Sequence, residues 1–585
     1  MNQIIINGGN ARYLSELDEF KDGIPFGVVN KTKTDVGGTY AAVNCSSNYI
    51  IVCPFKDLVS SIATDKNNLY NIFQCYGGVR ESLFRKYLKE NTTYKIAVTY
   101  DSFPKLIGWL GSTEGWKVLV DEYHLILEDM DYRFNAIDGL MSEIRKFNHY
   151  SFLSATPMDI EFEIDFLKNL PHYKVEWDGI TKINPLRFKA PQINRGLAKL
   201  IQIFLNGDLN APDINGNLSK VEELYIFINS VTSIKQIIDT LKPDSCDVKI
   251  CCADRIRNIK LLGEYEIEPV SNPNKRINFF TKKCFQGCNL FTNNGLIIVV
   301  SDGYKTQTLV DISTTMEQIA GRIRVNDEYK NIFRHLIVHF YSTNKSIMND
   351  DEFNSLMQEK ENEASALLSG WKKLEGEERE AYQRKIGLDT TLVSIINNEM
   401  VYNELKKQSF LYKHKLRASY KDGISIRAKY AASNKFELTN QQYWEDFNIK
   451  LAKAVTVSYE QLLKDYLDNP SEIYELEYPE FPAIKKYLKE SEMNTLRWNK
   501  DKMMKALEDK KLLDKVYLNV YQQGFITNAE LKKKIKAEFD KLGINLSAKA
   551  SLIEACTLYD VRKVNTTRKG RSVRGYELNK AFILV

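Results

Sequence analysis

Two acids stand side by side at the end of an apolar run in "VLVDEYHLI" (118–126). A short stretch of Val and Leu reads as a buried parallel strand, and open parallel sheets meet their ligands at the carboxyl ends of their strands. Asp121 placed there could hold Mg2+ through water, while Glu122 could orient or deprotonate an attacking water. A second run, "SFLSATP", ends in Ser154 and Thr156, whose hydroxyls could couple one site to another by hydrogen bonds. Much later, "TTMEQIAGRIRV" carries Gln318, Arg322 and Arg324 in helix-like text. Arginines presented across a cleft are what a phosphoryl-transfer transition state needs as its charge builds.

Upstream, "NKTKTDVGGTYAAVN" (30–44) has the outline of a phosphate-binding loop between a strand and a helix. In the pattern G-x-x-x-x-G-K-[ST], however, Gly38 stands where the lysine belongs and Asp35 replaces a glycine. Backbone N–H groups around Gly37 and Gly38, and the start of a helix near Thr39, can still cradle phosphate oxygens, and the Thr39 hydroxyl can still reach Mg2+. The loop lacks one mobile positive charge. Lys31, at the strand end, and Lys33, inside the loop beside Thr34, could each supply it, because a lysine delivers a point charge rather than a planar fork. A strand end gives Lys31 the firmer base. Asp35 would repel phosphate unless it turns outward or pairs with a lysine.

The elements that must position these residues follow from apolar patterning. From residue 24 to about 345, runs rich in Val, Ile, Phe and Tyr alternate with helix-like segments. One set of strands is expected at 26–30, 49–54, 94–100, 116–122 and 150–157, and a second at 224–230, 247–253, 277–282, 295–302 and 334–341. Between the sets, "KINPLRFKAPQIN" is turn-rich and suits a linker. The expected fold class is α/β: two tandem domains with parallel sheets, over residues 1–185 and 186–345. A helical accessory region (346–515) and a winged-helix-like α+β domain (516–585) complete the expected division. The tail carries the last of these: Thr527 and Glu530 stand at capping-box spacing, a short helix follows near "SAKASLIEAC", and "YDVRKVNTTRKGRSVRGYELN" reads as two strands around a basic turn.

At 585 residues the chain is too long for one core, and 43% hydrophobic with 27% charged residues belongs to ordered protein. No apolar run is long enough to span a membrane, and the N-terminus lacks a secretory pattern, so a cytoplasmic location is expected, or the host cytoplasm for a viral protein. The nine cysteines are scattered and odd in number, which reads as reduced core residues; Cys284 and Cys288 have no second pair to complete a zinc set. Residues 527–585 hold thirteen basic against six acidic side chains, with Arg562, Lys563, Arg568, Lys569, Arg571 and Arg574 gathered around the hairpin. Such a cluster would neutralise backbone phosphates of nucleic acid.

Taken in order, these motifs resemble those of superfamily-2 DEAD/DEAH-like helicases, whose two RecA-like domains bind ATP in the cleft between them. "DEYH" is similar to motif II, "SATP" to motif III and "QIAGRIR" to motif VI; "VCPFKDLV" resembles motif Ia, "VTYDSF" Ib, "YIFINSVTSIKQI" IV and "FTKKCFQGCNL" V. The resemblance implies ATP and Mg2+ as cofactors. It implies nucleotide contacts from Lys31, Lys33, Thr34, Gly37, Gly38, Thr39, Asp121 and Gly287, with Thr39 and Asp121 on the metal. Catalysis would fall to Glu122, Gln318, Arg322 and Arg324, and coupling to His124, Ser154 and Thr156. Pro54, Thr99, Ser102, Ser230 and Thr281 would contact the nucleic-acid strand. The single residue between the motif VI arginines is more like viral origin-binding and phage helicases than DEAD-box RNA helicases, which suggests replication or recombination.

DNA is favoured over RNA as the track by the basic tail and by the absence of an RRM signature. Replication proteins are the expected partners, no membrane is expected, and the chain is expected to be a monomer. Three rival readings stay open: a catalytically weak origin-binding or transcription factor on a helicase scaffold, an RNA helicase, and the motor of a restriction or packaging system.

Overall fold

Strands that are apolar on both faces must be covered on both, and the chain builds two parallel sheets in this way. The computed structural model describes residues 3–179, 182–285, 288–396, 398–438, 441–443, 449–556, 558–568 and 571–580. The first sheet has eight strands: β1 (Gln3–Gly9), β2 (Gly27–Asn30), β3 (Asn48–Cys53), β4 (Ile72–Cys75), β5 (Lys95–Thr99), β6 (Trp116–Asp121), β7 (His149–Ser154) and β8 (His172–Trp177). Their order is β1-β8-β2-β7-β6-β3-β5-β4, every pair parallel. Strand β7 lies between β2 and β6, so the ends of the loop strand, the "SATP" strand and the "DEYH" strand are neighbours. At the edge, β1 leaves Ile4 and Ile5 about half exposed.

The second sheet corrects the linker expectation for 182–194. Asn184–Lys189 is a strand, β9, paired residue by residue with β16 (Leu336–Tyr341) from Asn184↔Leu336 to Lys189↔Tyr341. Pro185 sits at its second position, where a missing N–H is tolerated, and Arg187 is buried mid-strand. Proline and charge gave this strand the look of a turn. After a small hairpin, β10 (Asn210–Pro212) with β11 (Leu218–Lys220), come β12 (Glu223–Phe227), β13 (Val248–Cys251), β14 (Ile277–Phe280) and β15 (Gly295–Ser301). Sheet order is β13-β14-β12-β15-β16-β9-β19, all parallel, where β19 (Gln441–Tyr443) arrives from far along the chain.

Two compact units result. The first comprises residues 1–254, 258–355 and 404–455; the second 255–257, 356–403 and 456–585. In the first, the helices Glu404–Ser419 and Gly423–Ala432 form a strap rooted in both lobes. Leu405 and Tyr412 belong to the core of the first lobe, Tyr420, Ile426 and Tyr430 to that of the second, and Leu416 packs against both. Tyr412 meets Phe162 edge-on at 5.4 Å, while the Tyr420 hydroxyl donates to Val310 O at 2.7 Å.

The second unit is mostly helical, with one hairpin, β17 (Val393–Ile396) and β18 (Glu399–Tyr402), and a core around Phe481, Ile484 and Met503. Its C-terminal part runs helix Leu513–Val520, β20 (Gly524–Thr527), helix Asn528–Leu542, a 3-10 helix Ala550–Ala555, then β21 (Tyr559–Arg568) and β22 (Arg571–Lys580). The antiparallel order β20-β22-β21 makes a winged-helix-like α+β domain. Thr527 and Glu530 form the capping box, and Leu531, Ile535 and Phe539 bury one face of that helix at the expected spacing.

Candidate active site

Backbone geometry places the first-lobe groups. Strand β6 ends at Asp121, and Glu122 turns the chain out of the sheet with φ 51°, a left-handed conformation uncommon outside glycine. The turn is fixed by the Tyr100 hydroxyl donating to Asp121 O (3.0 Å) and by Tyr123 N donating to Leu153 O (3.3 Å). On the loop, Gly37 (φ 71°) precedes helix Gly38–Asn44. A Cβ on Gly38 would lie 2.5 Å from Leu153 Cδ2, so a side chain at the usual lysine position requires Leu153 to shift.

Of the two upstream lysines, the one at the strand end lies against the acids. Lys31 Nζ lies 3.7 Å from Glu122 Oε1 and 3.9 Å from Asp121 Oδ1, with its side chain 10% exposed. Lys33 instead lies over the Trp177 ring, 5.9 Å from its centroid. Thr39 Oγ1 donates to Asp121 Oδ2 at 3.1 Å. Asp35 turns outward, two-thirds exposed, and pairs with Arg324 at 3.8 Å rather than with a lysine.

From the second lobe, helix Thr315–Ala320 delivers Gln318, which is fully buried. Its Nε2 donates to Glu122 Oε2 (3.1 Å) and to Thr156 Oγ1 (3.0 Å). Arg322 stands one step behind, donating from Nη2 to Gln318 Oε1 (2.9 Å) and from Nε to Gln318 O (2.8 Å). Arg324 donates to Asn289 Oδ1 (2.9 Å) and reaches Thr34 Oγ1 on the loop at 3.5 Å. Ser154 donates to Glu122 Oε2 at 3.3 Å and bonds His124 Nδ1 at 2.9 Å. Arg322 thus meets Glu122 only through Gln318, Arg324 reaches the 30–44 loop instead, and the Glu122 carboxylate gathers groups from both lobes.

The pair of acids divides. Burial raises the Asp121 carboxyl above the ordinary carboxylate range, against the opposing charge of Lys31. Burial presses on Glu122 too, but Lys31, His124 and Arg322 together hold its carboxyl below that range. Burial and the neighbouring Arg322 push the Arg324 guanidinium down to about 10. Glu122 thus stays an anion and a hydrogen-bond acceptor, the state a water-orienting base requires.

Thr39 and Asp121 offer a hydroxyl and a carboxylate oxygen, hard donors that fit Mg2+ when substrate oxygens and water complete its shell. Among the described residues no group of three or more His, Cys, Asp or Glu side chains could hold a metal by itself. Bound there, the ion would neutralise phosphate charge.

The residues assigned to a strand track are more enclosed. Thr99, Ser102 and Thr281 are buried, and the Ser230 hydroxyl caps helix Val231–Leu241 by accepting from Ser233 N at 3.2 Å. The segments after Pro54 and Thr281 do meet: Lys283 pairs with Asp57 at 3.1 Å beside a cavity of about 480 Å³ lined by Phe55, Ser60 and Cys284. On the C-terminal hairpin Arg562, Lys563 and Arg574 are exposed; Lys563 lies 3.5 Å from Glu554 and Arg562 bonds Asp560 at 3.0 Å. Gly287 and Lys569 lie outside the described residues, as do the side chains of Arg568 and Arg571. The described cysteines are all free thiols, most of them buried. No helix among the described residues is long and apolar enough to cross a membrane.

Sequence reasoning missed Glu128, which joins the lobes near this site. Its carboxylate accepts from Thr314 and Thr315 of the second lobe at 3.0 and 2.9 Å and lies 3.5 Å from Lys282 Nζ. One turn beyond "DEYH" it reads as an ordinary polar helix position, and nothing in its spacing reveals the partners.

No family model and no curated protein matches the chain. Among solved structures it is similar to S. cerevisiae Dbp5 bound to RNA and ADP BeF3, at 12% identity and TM-score 0.36, covering 57% of this chain and 82% of that one. It is similar to the Mycobacterium smegmatis helicase Lhr bound to ssDNA and AMP-PNP at 12% identity and TM-score 0.32, over 54% of this chain and 44% of that one. T4 UvsW matches at 15% identity and TM-score 0.21, over 58% and 70%. At such low scores the chemistry of the cleft rests on its own residues.

Proposed function

We propose that the chain is an ATP-dependent helicase or translocase of the superfamily-2 kind, acting on DNA. The observation that carries this reading is Glu122, held as an anion between Lys31 of its own lobe and Gln318 of the other. A phosphoryl-transfer site needs a water-orienting carboxylate, a cation over the phosphates and guanidinium groups from across the cleft, and in this reading Glu122, Lys31 and the pair Arg322 and Arg324 take these parts. ATP binds on the lobe of residues 1–185, with Thr39 and Asp121 toward Mg2+ and Lys31 in place of the loop lysine. Arg322 and Arg324, from the lobe of residues 186–345, complete the site on closure. Hydrolysis loosens the contacts between lobes, and that cycle drives movement along a strand.

The exposed Arg562, Lys563 and Arg574 support DNA as the track and residues 516–585 as a DNA-binding domain. The close spacing of Arg322 and Arg324 supports a viral or phage-type role in replication or recombination. The test is ATP hydrolysis by the full chain, alone and with single-stranded DNA, duplex DNA or RNA, comparing wild type with Glu122→Gln. The expected result is turnover stimulated most by DNA and abolished in the variant. Absent turnover with every nucleic acid, combined with tight DNA binding, would leave a nucleic-acid-binding protein on a helicase scaffold.

A further inference from the structure

Glu128 closes helix Leu125–Glu128, one turn beyond the DEYH segment, with a side chain only 7% exposed. Thr314 and Thr315, themselves buried, stand where helix Thr315–Ala320 begins. Thr314 makes no local side-chain cap for that helix, and both hydroxyls donate instead to the Glu128 carboxylate across the cleft, at 3.0 and 2.9 Å. Lys282 balances the charge, at 3.5 Å from Glu128 and 2.9 Å from Asp129. Tyr412 of the strap reaches the same place, lining one cavity with Glu128, Asp311 and Thr315.

The consequence lies at the other end of the short helix. Gln318 is one turn from Thr314, and its amide must meet both Glu122 and Thr156 within 3.1 Å. A six-residue helix is too short to hold its own orientation; Met316 and Ile319 seat it in the core of its own lobe, and the contacts at its start add the register against the first lobe in which Gln318 and Arg322 arrive. On the lobe-one side, the segment between Glu122 and Glu128 is a single rigid turn, bonded from Leu125 N to Glu122 O at 3.0 Å and from Ile126 N to Tyr123 O at 3.0 Å. Glu122 and Glu128 are therefore two fixed points on one piece of the first lobe, and Gln318 and Thr314–Thr315 are their counterparts on one piece of the second.

We propose that Glu128 is a positioning residue that sets the arginine-bearing helix against the DEYH segment by gripping Thr314 and Thr315. This assignment rests on the ATPase reading given above, and it makes Glu128 act through Gln318 and Arg322 rather than on the nucleotide.

The experiment has two arms on the full chain. In the first, DNA-stimulated ATP hydrolysis is compared for wild type, Glu128→Ala, Thr314→Val with Thr315→Val, and the triple variant. A misplaced catalytic group lowers turnover, so kcat should fall on the order of tenfold in Glu128→Ala while KM for ATP stays near wild type. The threonine pair should show the same loss, the triple variant no more than either, and Glu128→Asp should recover part of it. Unchanged kcat in Glu128→Ala, or losses that add in the triple variant, would overturn the proposal. The second arm, amide hydrogen exchange over residues 314–322 without nucleotide, is independent of activity. Faster exchange in Glu128→Ala supports the grip even if wild type turns over no ATP, in which case the ATPase reading alone fails; unchanged exchange removes the grip whatever the turnover.

Discussion

Around the cleft between the lobes, the first lobe holds Thr32, Asp35 and Glu122 at φ of 51°, 65° and 51°, whereas in the second lobe no residue from 314 to 324 has positive φ. The first lobe presents a lysine, two carboxylates and a threonine on or close to tight turns of positive φ. The second presents a glutamine and two arginines, long side chains on relaxed backbone. Strain of this kind persists only where surrounding contacts over-determine it, and here the contacts are Tyr100, Leu153 and Ser154. The first lobe should therefore tolerate few changes of shape, and the second should respond to changes of charge and reach.

The largest effect that would test this contrast is Lys31→Ala. Removing the cation leaves Asp121 buried without its counter-charge and Glu122 with only His124 and Arg322, and kcat for ATP should fall on the order of a hundredfold. Lys33→Ala should leave kcat close to wild type, since Lys33 faces Trp177. Equal losses from the two would break the assignment of charge to the strand end.

Next in size is a change of shape with no change of charge. Gly38→Ala forces a methyl onto Leu153 Cδ2 at 2.5 Å and should cost about 1–3 kcal/mol by denaturant unfolding. The double variant with Leu153→Ala should be more stable than the sum of the two losses predicts, because the cavity admits the methyl. Simple additivity would show that Leu153 does not close this position.

In the second lobe, Arg324→Lys keeps the charge but loses the planar fork shared between Asn289 and Thr34. A loss of about tenfold in kcat/KM, smaller than for Lys31→Ala, fits side-chain reach on relaxed backbone. A loss exceeding that of Lys31→Ala would reverse the contrast.

The smallest effect separates the lobes by pH. Burial raises Glu163, whose carboxylate accepts from the Tyr123 hydroxyl at 3.2 Å, to about 7. The folded chain then binds a proton that the unfolded chain releases near pH 4, so stability falls as pH rises between about 4 and 7. In the second lobe burial and Arg187 hold His339 down to about 3, which leaves it neutral over the same range. Glu163→Gln should flatten the pH dependence of unfolding and add on the order of 1 kcal/mol at pH 8. An unchanged profile would place the pH sensitivity elsewhere.

Much of this architecture is legible in the sequence, for a physical reason. Strands buried on both faces must be continuously apolar, so β3, β6, β7, β12 and β15 announce themselves, and the acids and hydroxyls that end them stand out. β9 is hidden because Pro185, Arg187 and Lys189 interrupt its apolar run, and β8 because Lys174 and Glu176 do so. The direction of Lys31 and Lys33 depends on Trp177 and on the two acids, far away in sequence, and no local pattern encodes it. The return of residues 404–455 to the first unit is equally silent, since an amphipathic helix shows that it has a partner but not which one.

That returning segment bears on how such a machine can move. Leu416 is wedged against both hearts of the first unit, and Tyr412 touches Phe162 with its ring while sharing a cavity wall with Asp311 and Thr315 of the second lobe. Jaws swinging apart on a slack tether would have to uproot these side chains, at about 2 kcal/mol for each one laid bare to water. A stroke that keeps these side chains buried is a swivel about that riveted pivot, which opens the cleft by a twist rather than a gape.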